Sequence, residues 1–223
     1  MEIIARYKSN LPEKFGVPRQ SGLAPHLKGR IVFEKEYSDP AAFDGLEEFE
    51  RLWVIWKFDV KEDDTFRPKV RPPRLGGNTY MGVFATRSPF RPNHLGLTCV
   101  KIEEISKNDE GLMELVVSGA DMTDGTEIYD VKPYIPYADA YPDVKGGFAQ
   151  KEENLGHQLD VNISDNTRNL FAEDELQGLI EILSLDPRPS YQNDPDRIYG
   201  LSYAGRNIKF KVSDGKLEVT EAL

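Results

Sequence analysis

The first part of the chain places its apolar residues in short runs, separated by turn-forming residues, as β proteins do. The run Leu52–Phe58, LWVIWKF, is aromatic and β-branched with a single charge, which predicts a buried strand. Similar runs predict further strands at Glu2–Arg6, Met81–Thr86, Leu97–Ile105, Leu112–Ser118 and Ile128–Val131. The outline is that of a mostly β N-terminal domain, and we expect it to close into a barrel.

Two stretches interrupt this pattern. Lys8–Lys28 has no apolar periodicity and contains three prolines, so we expect a loop there. Ser38-Asp39-Pro40 is typical of a helix start, and Leu46 and Phe49 would share one face of the helix that follows.

The pattern changes after Lys132–Gln150, which is rich in Pro, Gly and Tyr and predicts a domain boundary. Beyond it, an amphipathic helix ending before Pro187 is predicted by the helical spacing of Leu176, Leu179, Ile180 and Leu183. Strands are predicted at Leu159–Ser164, Ile198–Tyr203, Asn207–Val212 and Leu217–Val219, with a hairpin turn at Asp214-Gly215. The predicted fold is therefore mainly β with some α, comprising an N-terminal β-barrel domain (residues 1–145) and a small α+β C-terminal domain (residues 146–223).

The composition is that of a folded protein of a reducing compartment. The chain has 223 residues, of which 39% are hydrophobic, enough to bury a core. Cys99 is the only cysteine, so no disulfide can form within the chain. No run approaches the ~18 apolar residues of a membrane span, and the first ten residues do not resemble a secretory signal. We expect a cytoplasmic protein that does not associate with membranes.

Charge is distributed unevenly along the chain. The net charge is −10, yet Thr65–Ile102 contains seven Lys and Arg residues and no Asp or Glu. Proline adjoins the arginines in Arg67-Pro68, Arg71-Pro72-Pro73-Arg74 and Arg91-Pro92, and its fixed φ helps to orient the guanidinium groups. The segment could be a solvated loop paired with acidic residues elsewhere, or a binding site for an anionic ligand. We favour the anionic ligand, specifically nucleic acid.

Other candidate sites are few. His26, His94, His157 and the single cysteine have no metal-ligand spacing, so we expect no metal site. The segment Asp121–Thr126, DMTDGT, holds two carboxylates in a predicted turn between strands. Such a turn is usually structural, but its carboxylates could also accept hydrogen bonds from ribose hydroxyls or an amine.

Four blocks together resemble the TrmO-type tRNA methyltransferases. They are KFGVPRQSGL (Lys14–Leu23), VRPPRLGGNTYMGVFATRSPFRPNHLGL (Val70–Leu97), DMTDGTEIYDVKPYIPY (Asp121–Tyr137) and LDPRPSY (Leu185–Tyr191). The resemblance implies a β-barrel homodimer that uses S-adenosylmethionine, with the cofactor near the subunit interface. It further implies methylation of N6 of N6-threonylcarbamoyladenosine, the nucleoside 3′ of the anticodon in certain tRNAs, so the tRNA anticodon loop would be the partner.

The resemblance also suggests roles for individual residues. It places the cofactor against Ser21, Gly22, Leu23, Asp59, Val60, Arg87, Leu97, Gly125, Thr126, Glu127 and Ile128. On this hypothesis, phosphate or the threonyl carboxylate would be contacted by Arg67, Lys69, Arg71, Arg74 and Arg91. Asp124 is the candidate catalytic residue, as the hydrogen-bond acceptor for the N6 proton.

The chain departs from the family pattern at two places. Asp59-Val60 stands where the family usually has a His-Gln pair, and Ser21 stands where Pro is common. The change at Asp59-Val60 keeps open the alternative of a non-catalytic regulator of the same fold that binds S-adenosylmethionine or a nucleotide. A third alternative is an RNA-binding structural module that has lost the cofactor.

Overall fold

The structure is a computed structural model that describes residues 1–60, 65–72, 75, 78–150, 158–189, 192 and 194–223. Within these residues the strands are β1 (Ala5–Ser9), β2 (Lys28–Phe33), β3 (Arg51–Lys57), β4 (Lys69–Val70), β5 (Met81–Gly82), β6 (Leu95–Lys107), β7 (Met113–Ser118), β8 (Glu127–Pro133), β9 (Asp160–Asn162), β10 (Tyr199–Tyr203), β11 (Arg206–Ser213) and β12 (Lys216–Ala222). The α-helices there are α1 (Pro136–Asp139), α2 (Asp165–Arg168) and α3 (Glu173–Ser184).

Six of the strands form a closed barrel in the order β1-β2-β7-β6-β3-β8, with every neighbouring pair antiparallel. Burial alternates along the strands, so that in β3 the side chains of Leu52, Val54 and Trp56 point into the barrel. The antiparallel order brings three connections to one end of the barrel: β1 to β2, β3 to β6, and β7 to β8. The predicted barrel and the mainly β fold class are confirmed.

A four-stranded sheet of order β10-β11-β12-β9 follows, and α3 packs against it. Acidic residues fill the first turn of α3, where they favour the positive end of the helix dipole. The helix approaches the rest of the chain closely at Gly178, where a Cβ would lie 2.9 Å from the Tyr203 hydroxyl and 3.4 Å from the Leu27 Cα. A larger side chain at this point of α3 would push the helix away from both neighbours.

The core of this second sheet contains residues from the opposite end of the chain. The connection between β1 and β2, residues 10–27, contributes Leu11, Ala24 and Leu27, which are at most 2% exposed and pack with the apolar face of α3. Polar contacts reinforce this packing: the His26 side chain pairs with Glu181, and the Ala204 amide donates to the Asn10 carbonyl. The β1–β2 connection therefore joins the barrel to the C-terminal sheet.

The structure differs from the sequence prediction at several places, including the first strand, where β1 is Ala5–Ser9 and not Glu2–Arg6. Strand β2 lies where no strand was predicted, although its core GRIVF is apolar enough to suggest one. The helix predicted after Asp39 is replaced by 3₁₀ turns at Pro40–Phe43 and Leu46–Glu48, because Gly45 between them has a left-handed φ of 83°. In the strand predicted at Met81–Thr86, only two residues pair, and a 3₁₀ turn follows.

Candidate active site

A cavity of about 600 Å³, here called the barrel cavity, opens at the barrel end where the three connections meet. Its apolar wall contains Trp53, Trp56, Phe58 and Phe90. Its polar wall comes from the β1–β2 connection, the segment before β6 and the β7–β8 turn. This size and this mixture of aromatic and polar groups are typical of sites that bind small organic ligands.

Trp56 can line the cavity because its register partner is a glycine. Trp56 lies directly opposite Gly96 across β3 and β6. A Cβ on Gly96 would lie 2.2 Å from the Trp56 ring, so only glycine lets the indole lie flat against β6. Phe58 packs against the same indole, with 4.3 Å between ring centroids.

A chain of hydrogen bonds runs from this indole to a buried carboxylate. Trp56 Nε1 donates to Thr98 Oγ1 at 2.8 Å, and Thr98 Oγ1 donates to Asp121 Oδ1 at 2.5 Å. Thr98 is fully buried, so its hydroxyl has no access to water and is fixed by these two partners. The chain therefore holds Asp121 in a defined position in the cavity wall.

Asp121 has an unusual electrostatic environment. Burial raises the pKa of its carboxyl group, although the Thr98 hydrogen bond, the Arg87 charge and backbone groups, including that of Ser21, oppose the shift. The net result is a carboxylate that is more basic than an ordinary Asp. Basic carboxylates in cavities are common at sites where protons are transferred.

Arg87 stands at the mouth of the barrel cavity. It is exposed, and its Nη1 donates to Gln20 Oε1 of the β1–β2 connection at 2.5 Å. Arg19 and Arg91 line the same cavity as Arg87. This rim suits the carboxylate or phosphate of a ligand.

A second cavity of about 770 Å³, here called the cationic cavity, adjoins the first. The two share Arg19, Gln20, Thr86, Arg87, Pro89 and Phe90. The cationic cavity adds Arg67, Lys69 and Arg71, and no Asp or Glu is among the described residues that line it. A continuous surface thus leads from an aromatic cavity to a strongly positive one.

Aromatic rings orient the arginines of the cationic cavity. The Arg67 guanidinium lies 3.9 Å from the Phe90 ring centroid, and that of Arg71 lies 4.5 Å from the Tyr80 ring centroid. Arg71 also donates to the Tyr80 hydroxyl. Stacking over a ring in this way restricts the orientation of a guanidinium group.

The cofactor residues expected from the sequence do not all lie at one place. Five line the barrel cavity: Asp59, Val60, Arg87, Leu97 and Thr126. Gly125 and Glu127 line an adjoining pocket that also touches Asp59 and Val60.

The other four cofactor residues contribute differently. Ser21 reaches the site through its backbone beside Asp121, and the Gly22 amide donates to the Gly119 carbonyl. The Leu23 side chain is 38% exposed and lies outside the described cavities, while that of Ile128 is fully buried in the barrel core.

Asp124 lies apart from the barrel cavity. Its Oδ1 accepts a hydrogen bond from the Ser9 amide at 2.9 Å, and its side chain lines two outer pockets. Of the expected RNA-binding residues, Arg67, Lys69 and Arg71 line the cationic cavity. Arg91 lines the barrel cavity, where its Nη1 donates to the carbonyls of Val83 and Thr86, and Arg74 lies outside the described residues.

Sequence reasoning missed the aromatic wall and the Trp56–Thr98–Asp121 chain. It treated the tryptophans as core and Asp121 only as one of two carboxylates in a turn. The available signal was Thr98, a lone polar residue at an inward position of a predicted strand.

The fold and the two cavities define a class: a closed β-barrel protein that carries an aromatic-lined cavity and a cationic cavity at one end. The chain belongs to the tRNA-methyltransferase O family. It matches the tRNA-methyltransferase O N-terminal domain over residues 6–140 and the TrmO C-terminal domain over residues 156–222. The resemblance inferred from the sequence is confirmed.

Individual relatives agree with this membership over nearly the whole chain. A protein of Escherichia coli K12 named tRNA (adenine(37)-N6)-methyltransferase is 35% identical over 98% of this chain and 95% of its own length. A putative S-adenosylmethionine-dependent methyltransferase, RcsF, of Pseudomonas aeruginosa is 38% identical over 89% of this chain and 86% of its own. A crystal structure of TrmO from Pseudomonas aeruginosa is similar, with a TM-score of 0.78, 27% identity, and coverage of 99% of this chain and 97% of that one.

None of the described helices is long and apolar enough to cross a membrane. Groups of three or more His, Cys, Asp or Glu that could hold a metal ion are absent from that same part of the chain.

Proposed function

We propose that this protein transfers a methyl group from S-adenosylmethionine to N6 of adenine 37 of tRNA, in its N6-threonylcarbamoyl form. The observation that carries the proposal is the pair of joined cavities, one aromatic and one cationic, with Arg87 at their junction. The E. coli relative named for this activity supports it.

The barrel cavity fits the proposed cofactor. Aromatic faces such as those of Trp53, Trp56 and Phe58 attract cationic ligands and stack on purines. Arg87 can pair with the carboxylate of the cofactor through charge-assisted hydrogen bonds. When bound, S-adenosylmethionine supplies an electrophilic methyl group on a positively charged sulfur. The protein's own contribution is then to orient the acceptor nitrogen, exclude water and receive a proton.

The departure at Asp59-Val60 is compatible with this role. Lys14 donates to the Asp59 carbonyl, and its Nζ lies 3.8 Å from the Asp59 carboxylate. The strand end is thereby fixed beside the cavity even without the family's usual pair. We propose that Asp59-Val60 contributes backbone groups and one carboxylate to the cofactor site, together with the nine other residues that the resemblance suggests.

The cationic cavity fits the substrate. Lys69, Arg71 and Arg67 would contact phosphates of the anticodon loop or the carboxylate of the threonyl group. We propose the same role for Arg91, which lines the barrel cavity, and for Arg74, which lies outside the described residues. Each fixed positive charge attracts the polyanion at short range, although the whole chain carries a net charge of −10. A local positive surface on an acidic protein favours one docking position over general adhesion to nucleic acid.

We further propose that the protein is a cytoplasmic homodimer. Each chain would consist of a barrel domain, residues 1–145, and a C-terminal domain, residues 146–223. Leu97 supports dimerisation, because it is 56% exposed at the edge of the barrel cavity and an apolar partner surface would cover it. Sedimentation equilibrium of the full chain measures the oligomeric state, and a monomer at micromolar concentration would contradict this part of the proposal.

The decisive experiment combines purified protein, labelled S-adenosylmethionine and tRNA from a strain that lacks such an enzyme. We expect label on N6-methyl-N6-threonylcarbamoyladenosine, identified by mass spectrometry of the nucleosides, and none on tRNA made without the threonylcarbamoyl group. Arg87→Ala should abolish labelling, while Arg30→Ala, an exposed arginine on β2 outside both cavities, should not. Binding of the cofactor without transfer to any nucleoside would favour the regulator instead.

A further inference from the structure

We propose that Asp121 is the catalytic residue that accepts the N6 proton of the substrate, an inference that rests on the proposed function. The sequence prediction gives this role to Asp124, the other carboxylate of the turn Asp121–Thr126. The geometry of the barrel cavity favours Asp121 over Asp124.

Asp121 differs from the other nearby carboxylates in its position. Among the described residues that line the barrel cavity, the carboxylates are Asp59 and Asp121. The Asp59 side chain is 89% exposed at the rim and lies within ion-pair distance of Lys14. Asp124 is exposed, accepts from the Ser9 amide and faces the outer pockets. Asp121 alone of the three is both at the cavity wall and largely shielded from water.

The orientation of the Asp121 carboxylate is set by Thr98. Thr98 is fully buried, and its hydroxyl proton can only point to Asp121, because its oxygen already accepts from the Trp56 indole. Asp121 Oδ1 therefore accepts a hydrogen bond from a hydroxyl whose orientation is fixed. A proton acceptor held in this way needs little reorganisation when the reaction occurs.

The surroundings of Asp121 also make its carboxylate more basic. The groups that act on Asp121 from the surrounding elements are Thr98 on β6, the Ser21 backbone, the Arg87 guanidinium and Tyr7 on β1. Burial outweighs the groups that stabilise the anion and leaves the pKa of Asp121 above that of an ordinary Asp. A stronger base at the cavity wall takes a proton from nitrogen more readily.

The proton balance of the step is simple. N6 uses its lone pair to form a bond to the methyl carbon, whose bond to sulfur breaks with the electron pair remaining on sulfur. The proton that N6 carried passes to the Asp121 carboxylate as the new bond forms. Asp121 returns this proton to water once the products leave, so no oxidant or further reactant is needed.

The test compares Asp121→Asn with a matched control, Glu114→Gln. Glu114 is a buried carboxylate, 8% exposed, near the other end of β7, so its loss controls for removing a buried charge. Single-turnover rates are measured on threonylcarbamoylated tRNA from pH 5 to 9, with saturating cofactor. Binding constants for S-adenosylmethionine and for tRNA are measured separately by calorimetry, and the Asp121 carboxyl carbon is titrated by NMR in the protein with tRNA and the demethylated cofactor both bound.

We expect Asp121→Asn to lower the single-turnover rate by ~10²–10⁴-fold, the usual share of general base catalysis. Both binding constants should stay within about twofold, and Glu114→Gln should keep the wild-type rate profile. The acidic limb of the wild-type profile should coincide with the NMR titration of Asp121 measured with both ligands bound.

Three results would overturn the inference. The first is that Asp121→Asn keeps the wild-type rate and normal binding. The second is that Asp121→Asn weakens cofactor binding tenfold but has a normal rate at saturation, which would make Asp121 a cofactor ligand. Asp124→Asn could lose the rate while Asp121→Asn keeps it. In each case the wild-type protein still methylates tRNA, so the proposed function stands; a wild-type protein that methylates no tRNA removes both proposals.

Discussion

Replacing Thr98 by Val tests whether the Trp56–Thr98–Asp121 chain contributes to stability as its geometry indicates. The two side chains have the same shape, so the variant removes a hydroxyl without creating a cavity. It leaves the buried Trp56 Nε1–H without an acceptor and Asp121 Oδ1 without its donor, bonds of 2.8 and 2.5 Å in the wild type. A buried donor without a partner costs ~1–3 kcal/mol.

The expected total is about 2–3 kcal/mol at neutral pH, because water in the cavity can replace part of the bond lost by Asp121. Urea unfolding followed by tryptophan fluorescence measures the free energy of unfolding directly. The penalty should shrink at acid pH, where Asp121 is protonated and the lost bond no longer involves a charge.

Thr98→Ser is the matched control, because it keeps the hydroxyl and loses one buried methyl group, at about 1 kcal/mol. If Thr98→Val is as stable as the wild type, or more stable than Thr98→Ser, the hydroxyl does not stabilise this site. The Trp56–Thr98–Asp121 hydrogen bonds would then not be what fixes Asp121.

Four more outcomes are expected. Gly96→Ala should lose ~1–3 kcal/mol by overpacking against Trp56, and should weaken cofactor binding, as unfolding and calorimetry would show. The wild type should lose stability relative to Asp121→Asn as the pH rises from the ordinary Asp range through the raised pKa of Asp121, because the folded state disfavours the ionised carboxylate. Urea unfolding of both proteins from pH 4 to 8 measures this difference. Leu11→Ala should lose ~2–5 kcal/mol in unfolding experiments although it lies in a loop. Arg71→Ala should reduce the salt slope of tRNA binding by about 0.7–0.9.

The controls for these variants come from the same chain. Gly82→Ala should be nearly neutral, because nothing lies within 4 Å of its Cβ position. Leu170→Ala should cost far less than Leu11→Ala, because Leu170 is 40% exposed. A flat difference between Asp121→Asn and the wild type across the pH range, or an unchanged salt slope for Arg71→Ala, would contradict the assigned environments of these residues.

The sequence predicted five of the six barrel strands from apolar runs such as Leu52–Phe58 and missed β2. It predicted α3 because its leucines repeat at helical spacing. It did not predict the break at Gly45, where a left-handed φ ends one 3₁₀ turn before the next begins. Local propensity favoured a continuous helix there, and only the backbone conformation shows otherwise.

The site was predictable only in part, because the contributing residues are far apart in sequence. Arg87 could be identified from its motif and does stand at the junction of the cavities. The difference between Asp121 and Asp124 depends on Thr98 and Ser9, which lie on other strands. No pattern within a six-residue turn contains that information, so the sequence could not rank the two carboxylates.

The shared core of the β1–β2 connection has a consequence for the order of events during synthesis. The barrel strands end at Pro133, so the barrel has all its strands once that residue has left the ribosome. Leu11 and Leu27, however, pack in a core that includes Leu217 and Val219. The segment that carries Arg19 and Gln20 to the barrel cavity can therefore take its final position only when the last strand has been made. A nascent chain truncated before β12 would hold a closed barrel with an unfinished barrel cavity.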